Sequence, residues 1–170
     1  MEDKYIESYE KWNLEADSQE KQDSVLYYID KLIDISNDDF YKIEKIKILY
    51  RIEKYEDALS VFRNLKEQDS FAIDLFRSLI EIKDDPKNPS VILQRIDQKY
   101  ESKELTREDR FYKIALDYYL QGRDYAIDEI NNVVRKGELS KYEKELYEIL
   151  QEKIQNGEDG LEVLFYLYNL

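Results

Sequence analysis

The chain carries apolar residues at helical spacing along almost its whole length, with few residues that break a helix. In the clearest example, Phe111, Ile114, Ala115 and Tyr118 lie on one face of a predicted helix, because the last three follow the first by three, four and seven positions. Only 4 glycines and 2 prolines interrupt the 170 residues. An all-β fold needs many such turn formers, whereas helices run long without them. The pattern therefore predicts an all-α fold.

Helix-capping residues divide the chain into nine predicted helices and a short final segment. Gly122 and Gly137 are predicted to end the seventh and eighth helices, since glycine adopts the left-handed conformation of a helix end at little cost. The final segment, 161–170, fits either a helix or a strand. The remaining boundaries are predicted from residues whose side chains favour the N-cap, the position just before the first helical residue. These predicted N-caps, in chain order, are Asp17, Ser36, Ser70, Asn88, Thr106 and Ser140.

Between Lys54 and Leu65 the sequence KYEDALSVFRNL places a small residue between two aromatic rings. Tyr55, Ala58 and Phe62 lie three and four positions apart, so they share one helix face. A small side chain on that face lets a second helix approach closely. The A-x3-F spacing of Ala58 and Phe62 resembles the second helix of a tetratricopeptide repeat.

The same resemblance recurs in the second half of the chain. The face of the seventh helix described above has the spacing W-x2-L-G-x2-Y of a repeat's first helix, and Ala126 with Ile130 repeats A-x3-F on the eighth. Five predicted helical hairpins begin near residues 3, 39, 70, 107 and 141, close to the repeat period of about 34 residues. The resemblance is best over 39–67 and 107–136. The first hairpin and the fifth agree only in length and periodicity. Upstream of Ala58, Lys42 stands where a repeat has Trp.

This resemblance implies both a fold and a way of acting. The implied fold is one domain over 1–170, a right-handed solenoid of about five antiparallel helical hairpins. An irregular helical bundle is the alternative. Such arrays bind a peptide or protein along their inner helices, so the resemblance implies a non-enzymatic interaction module, an adaptor or a chaperone. The implied partner-binding residues are Phe40, Lys47, Tyr50, Arg51, Tyr112, Leu116 and Tyr119.

The composition removes most familiar catalytic chemistry. The chain has no His and no Cys, so it lacks the usual general base near neutral pH and the most nucleophilic side chain. A disulfide framework and a thiolate metal site are impossible, and no Gly-rich phosphate loop is present. The acidic pairs Asp38–Asp39, Asp84–Asp85 and Glu158–Asp159 fall at helix boundaries, where capping explains them. We expect no enzyme activity, no cofactor and no metal.

Charge is distributed unevenly along the chain. Its net charge of -13 disfavours nucleic acid as a partner, because binding phosphates requires clustered Lys and Arg. Residues 1–39 hold 12 acidic and 4 basic residues, whereas residues 40–54 hold 2 acidic and 5 basic ones. In the second stretch Lys47 and Arg51 lie four positions apart on one helix face. This row either grips a carboxylate of a partner or is a solvated face that offsets the acidic first hairpin.

The acidity also supports a function of a different class. A bacterial immunity protein or antitoxin neutralises a cationic toxin by covering its active site, and complementary charge speeds such binding. In that case the acidic positions Asp23, Asp30 and Asp34 contact a basic partner. Both hypotheses place the protein in the cytoplasm, since the longest apolar run falls far short of the roughly 20 residues that cross a bilayer. We expect no contact with a membrane.

Overall fold

A computed structural model describes residues 1–15, 18–66, 70–137 and 139–169. Ten helices and no strand are present in these ranges, so the prediction of an all-α fold is confirmed. The final segment forms a helix rather than a strand. In chain order the helices are α1 (Glu2–Leu14), α2 (Gln19–Ser36), α3 (Asp39–Arg51), α4 (Tyr55–Phe62), α5 (Phe71–Asp84), α6 (Pro89–Tyr100), α7 (Arg107–Gln121), α8 (Arg123–Arg135), α9 (Lys141–Gln155) and α10 (Gly160–Leu167).

The chain divides into two compact units. Met1–Gln68 contains α1 to α4, and Asp69–Leu170 contains α5 to α10. We call them unit 1 and unit 2. The prediction of one domain over 1–170 and of a solenoid of hairpins stays a prediction.

In unit 1 each helix packs against the next one in sequence. Trp12 is buried against this core, and the guanidinium of Arg51 lies 4.2 Å from the centre of its ring. Arg51 also donates a hydrogen bond of 2.7 Å to Asn13, which fastens α3 to α1. The other buried residues of this core are Tyr5, Val25, Ile29, Leu32 and Ile48.

The joint between α3 and α4 uses the small residue that the sequence indicated. Ala58 is fully buried and Phe62 is buried one turn later. Beside them the rings of Tyr50 and Tyr55 lie 5.6 Å apart. Lys42 is buried too: its ammonium donates to Asp39 at 2.9 Å and to the carbonyl oxygen of Asn64 at 2.7 Å.

In unit 2 the last helix packs back against earlier helices. Neighbouring helices from α5 to α9 pack in order, α5 and α6 both contact α7, and α10 then returns to pack against α7 as well as α9. At the start of α10, a Cβ on Gly160 would lie 2.9 Å from the Cα of Tyr119. Only glycine lets the two helices approach this closely.

A buried carboxylate ties the start of α7 to the start of α5. Asp109 accepts hydrogen bonds from the hydroxyl of Ser70 at 3.0 Å and from the backbone N–H of Ala72 at 2.9 Å. Its own N–H donates to Thr106, the predicted N-cap. Because buried carboxylates need such donors, Asp109 fixes the register between these two helices.

Most predicted helix boundaries are confirmed. Thr106 and Ser140 cap α7 and α9, the second as a full capping box with Glu143. Asn88 precedes Pro89 at the start of α6, and Gly122 separates α7 from α8 with a φ of 93°. Ser70 is the N-cap position of α5, although its hydroxyl bonds to Asp109.

The predicted cap at Ser36 is wrong. Helix α2 continues through Ser36, whose hydroxyl donates to the carbonyl oxygen of Leu32. Asp38 caps α3 instead, accepting from the N–H of Phe40. Asp159 likewise caps α10, as expected for an acidic pair at a boundary. The predicted cap at Asp17 lies outside the described residues, as does Leu170 of the final segment.

Across the described ranges, no helix is both long enough and apolar enough to cross a membrane.

We predict that Ala58→Leu destabilises unit 1 by about 1–3 kcal/mol, because the larger side chain overpacks the joint between α3 and α4. The free energy of unfolding in urea measures the effect. Ser60→Leu is the matched control, since Ser60 is exposed on the same helix. Equal stability of the two variants would contradict the close packing at Ala58.

Candidate functional site

Unit 2 contains a cleft of about 820 Å³. It lies between the first half of α7, the first half of α9 and the end of α10. The turn between α8 and α9 contributes Lys136 and Leu139. A cleft of this size can take one or a few side chains of a partner. Its other lining residues are Leu105, Arg107, Glu108, Arg110, Phe111, Tyr112, Val133, Tyr142, Glu143, Leu146, Tyr147, Ile149, Tyr166, Leu167 and Asn169.

Aromatic rings form the base of the cleft. Phe111 and Tyr147 are buried and meet edge to face with their ring centres 5.3 Å apart. Burial raises the pKa of the Tyr147 hydroxyl and raises the pKa of Tyr112 to about 12. These phenols therefore stay neutral at physiological pH and act as apolar surface with a hydrogen-bonding tip.

The rim of the cleft holds exposed apolar side chains. Tyr142 on α9 is 69% exposed and Tyr166 on α10 is 51% exposed. Ile149 is also exposed, two turns after Tyr142 on α9. Lys153 lies 3.6 Å from the centre of the Tyr166 ring, which limits the movement of that side chain. Apolar groups beside a cleft, rather than scattered singly, are typical of an interaction site.

The charges of the cleft differ from those of the unit around it. Unit 2 has 22 acidic and 15 basic residues, a net charge of -7. Among the residues that the structure describes, the cleft lining has three cations, Arg107, Arg110 and Lys136, and two carboxylates, Glu108 and Glu143. The described lining is therefore net positive, in contrast to the strongly negative unit.

One of these carboxylates is already used by the fold. Glu143 accepts a hydrogen bond of 2.7 Å from the backbone N–H of Ser140 in the capping box. The hydrogen bonds from Ser140, with a smaller effect of the Arg107 charge, lower the pKa of Glu143. This carboxylate therefore has less capacity left to bind a cation from a partner.

A column of three stacked rings supports the side of the cleft formed by α10. Tyr168 lies between Phe76 and Tyr112, with ring centres 5.0 and 4.5 Å away and interplanar angles of 9° and 20°. Its hydroxyl donates to the carbonyl oxygen of Ala72 at 2.7 Å. Full burial raises the pKa of Tyr168 well above its ordinary value. The column holds the end of α10 against α5 and α7.

Helix α10 also covers part of the α7 face that was predicted to bind a partner. Leu116 is fully buried, so its side chain is not accessible to a partner in this conformation. Tyr119 is half-buried, shares a hydrogen bond of 2.8 Å with Ser90, and its backbone contacts Gly160. Of the three predicted residues on α7, Tyr112 lines the cleft.

The four predicted partner-binding residues of unit 1 lie on α3. Phe40 is 60% exposed. Lys47 pairs with Glu44 at 3.1 Å, while Tyr50 contacts the ring of Tyr55 and Arg51 is bonded to α1. The basic row thus has polar partners inside its own unit. That these residues contact a partner stays a prediction.

The predicted acidic positions lie on α2. Asp23 and Asp34 are exposed, and Asp23 accepts a hydrogen bond of 2.7 Å from Gln19. Asp30 is half-buried and pairs with Lys45 at 2.5 Å. The exposed stripe that contains Asp23 and Asp34 also carries Tyr27, which is 57% exposed.

The sequence prediction missed most of the cleft. Tyr142, Ile149 and Tyr166 were not among the predicted partner-binding residues, nor were Arg110 and Lys136. A signal was present on α9, whose apolar positions 142, 146, 147, 149, 150 and 154 cover an arc wider than one core-facing stripe. Side chains at the edge of such an arc stay accessible after the core is filled.

Comparison with protein-family models, with curated proteins and with solved structures finds no match to this chain. The part of the chain that the structure describes contains no group of three or more carboxylates placed to hold a metal ion. The cleft itself is therefore the basis for a functional proposal.

We predict that Tyr168→Phe lowers the free energy of unfolding by about 0.5–1.5 kcal/mol, because the buried hydrogen bond from the Tyr168 hydroxyl to the carbonyl oxygen of Ala72 is lost while the ring stack is kept. Urea unfolding of the full chain measures the loss. Tyr166→Phe, an exposed tyrosine two positions away, is the control. Unchanged stability of the Tyr168 variant would show that this hydroxyl does not hold α10 in place.

Proposed function

We propose that this protein is a non-enzymatic interaction module, an adaptor or a chaperone, which binds a peptide or protein segment in the cleft of unit 2. One observation carries the proposal: Tyr142, Ile149 and Tyr166 remain exposed around a cleft of about 820 Å³. Exposing large apolar groups together is unfavourable unless a partner covers them. A partner that buries them contributes roughly 25 cal/mol for each Å² of apolar surface removed from water.

The mode of binding follows from the geometry of the cleft. An apolar side chain of the partner would enter between α7 and α9 and rest on the rings of Phe111 and Tyr147. Tyr142 and Tyr166 would close over it from the two sides of the rim. Tyrosine suits this task because it provides a large contact area and loses little conformational entropy. The same two tyrosines are expected to be binding hot spots.

The proposed architecture is the array of tetratricopeptide-like hairpins that the sequence resembles. It is supported by the successive packing of α1 to α4 and by buried small residues at the expected joints, Ala58, Ala115 and Ala126. Helix α10 departs from such an array, because it returns to α7. In this proposal the inner helices remain the binding face, α10 covers part of it, and the protein acts in the cytoplasm.

We predict that Tyr142→Ala combined with Tyr166→Ala weakens binding at the cleft by about 10- to 100-fold, because two apolar anchors are lost. Peptides selected from a displayed random library on the full-length protein provide the probes. Fluorescence anisotropy then gives the Kd of each selected peptide for each variant.

Tyr125→Ala is the matched control, since Tyr125 is 50% exposed on α8 and does not line the cleft. Circular dichroism must show that both variants keep their helix content. Selected peptides that bind the double variant as tightly as the control variant would contradict the proposed site.

A second candidate function rests on α2. Its exposed stripe carries Glu20, Asp23, Tyr27 and Asp34 at helical spacing, an aromatic residue among carboxylates. This surface suits a basic partner, and an immunity protein or antitoxin that covers a cationic toxin is the corresponding function. Exposed acidic groups on an inhibitor raise its association rate with a cationic target.

The second candidate predicts that Asp23→Lys with Asp34→Lys slows association with a cationic toxin by about 10-fold or more. Surface plasmon resonance against a cationic toxin captured by the tagged protein measures the rate. Raising the salt concentration should slow the unaltered protein in the same way, because exposed charges are screened. An association rate independent of salt would rule out this electrostatic role.

A further inference from the structure

We infer that the occupant of the cleft in unit 2 is an acidic peptide segment, in which an aliphatic or aromatic side chain is flanked by carboxylates. This inference rests on the proposed function, since it names the chemical class of the ligand for the same cleft. Three features support it: the charge of the lining, the pairing of its charged side chains Arg110, Lys136 and Glu143, and the apolar surface between them.

The reversal of charge at the cleft is the first support. Unit 2 as a whole has a net charge of -7, yet the lining residues that the structure describes include three cations against two carboxylates. A concave surface with apolar walls strengthens the local field of its charges. An acidic segment is therefore attracted to the cleft and repelled by most of the remaining surface, which directs it to this place.

Two cations of the cleft, Arg110 and Lys136, differ from a neighbouring cation in their ion pairing. Lys113, one turn further along α7, contacts Asp97 at 2.9 Å and Asp117 at 2.5 Å. Arg110 and Lys136 are exposed, and neither has a carboxylate within ion-pair distance among the residues that the structure describes. Their charges remain available to a ligand that brings its own carboxylates.

The two carboxylates of the lining oppose such a ligand only weakly. Glu143 is held by the capping box, where its oxygen accepts from the Ser140 N–H. Glu108 is exposed in the first turn of α7, where the helix dipole partly offsets its negative charge.

An apolar surface lies between these charges. Leu105, Leu139, Leu146 and Leu167 line the cleft together with the rings described above. A purely ionic ligand would leave this surface exposed to water. A nucleic acid is disfavoured for that reason, and also because its dense phosphates would face the net charge of -7 of unit 2. A segment with an apolar side chain between acidic ones satisfies both parts of the surface.

Three fluorescein-labelled peptides of equal length test the inference. Each has the same Leu-Phe-Leu centre, flanked on both sides by Glu, by Gln or by Lys, and a single-stranded oligonucleotide is a fourth probe. Fluorescence anisotropy with the full-length protein gives the four Kd values. We expect the Glu-flanked peptide to bind about 10-fold more tightly than the Gln-flanked one, and the Lys-flanked one to bind most weakly.

Two double variants with the same total charge locate the effect. Arg110→Gln with Lys136→Gln removes two cations from the cleft, whereas Arg135→Gln with Lys144→Gln removes two exposed cations outside it. We expect the first variant to lose about 10-fold in affinity for the Glu-flanked peptide and the second to stay within about twofold. Equal losses in both variants would overturn the inference.

The remaining outcomes separate the ligand class from the proposed function. If the Gln-flanked peptide binds as tightly as the Glu-flanked one and Tyr142→Ala with Tyr166→Ala weakens both, the acidic ligand is wrong and the binding cleft stands. If the Glu-flanked peptide binds but its Kd is unchanged by Tyr142→Ala with Tyr166→Ala, the proposed cleft is wrong. The inference is then overturned as well. Absence of binding by the Glu-flanked peptide, or tighter binding of the oligonucleotide, overturns the inference.

Discussion

The stacked ring of Tyr168 is the contact on which the second half of this structure depends. By lying between Phe76 and Tyr112 and donating to the carbonyl oxygen of Ala72, it holds α10 against α5 and α7. Stacked aromatic contacts gain from both burial and ring geometry. Because α10 is held there, Tyr166 and Leu167 become one wall of the cleft, and part of the α7 face becomes interior. The Tyr168 contact thus helps to place the wall of the cleft that α10 forms.

Charge has two separate roles in this protein. Inside the units, charged groups are satisfied by the fold: buried Lys42 and Asp109 have their partners, and Arg51 connects two helices of unit 1. At the cleft of unit 2, cations instead stand beside apolar surface. Buried charges must be paired because desolvation is costly, whereas exposed charges are free to serve recognition. Lys47 and Arg51 of the basic row on α3 have partners within unit 1, whereas we propose that Arg110 and Lys136 serve recognition.

Much of the fold could be predicted from local signals. Apolar spacing located the helices, and the side chains of Thr106 and Ser140 marked two starts that the structure confirms. The failure at Ser36 has a physical reason, since a serine inside a helix can donate back to the preceding turn as readily as it can cap. The site was harder to predict. Periodicity identifies residues that face some neighbour, but it does not say whether that neighbour is a core, another segment of the chain or a partner.

The sequence by itself determined the all-α class, most helix boundaries, and the small residues at the joints, because these depend on side chains a few positions apart. Because the chain has no His and no Cys, the sequence also excluded catalytic and metal-binding roles for those side chains. Tertiary structure alone decided that α10 returns to α7, that Gly160 permits this approach, and that Leu116 is interior while Tyr142 and Tyr166 are exposed. Those outcomes depend on contacts between residues far apart in the chain, such as Ala72 and Tyr168, which no local pattern contains.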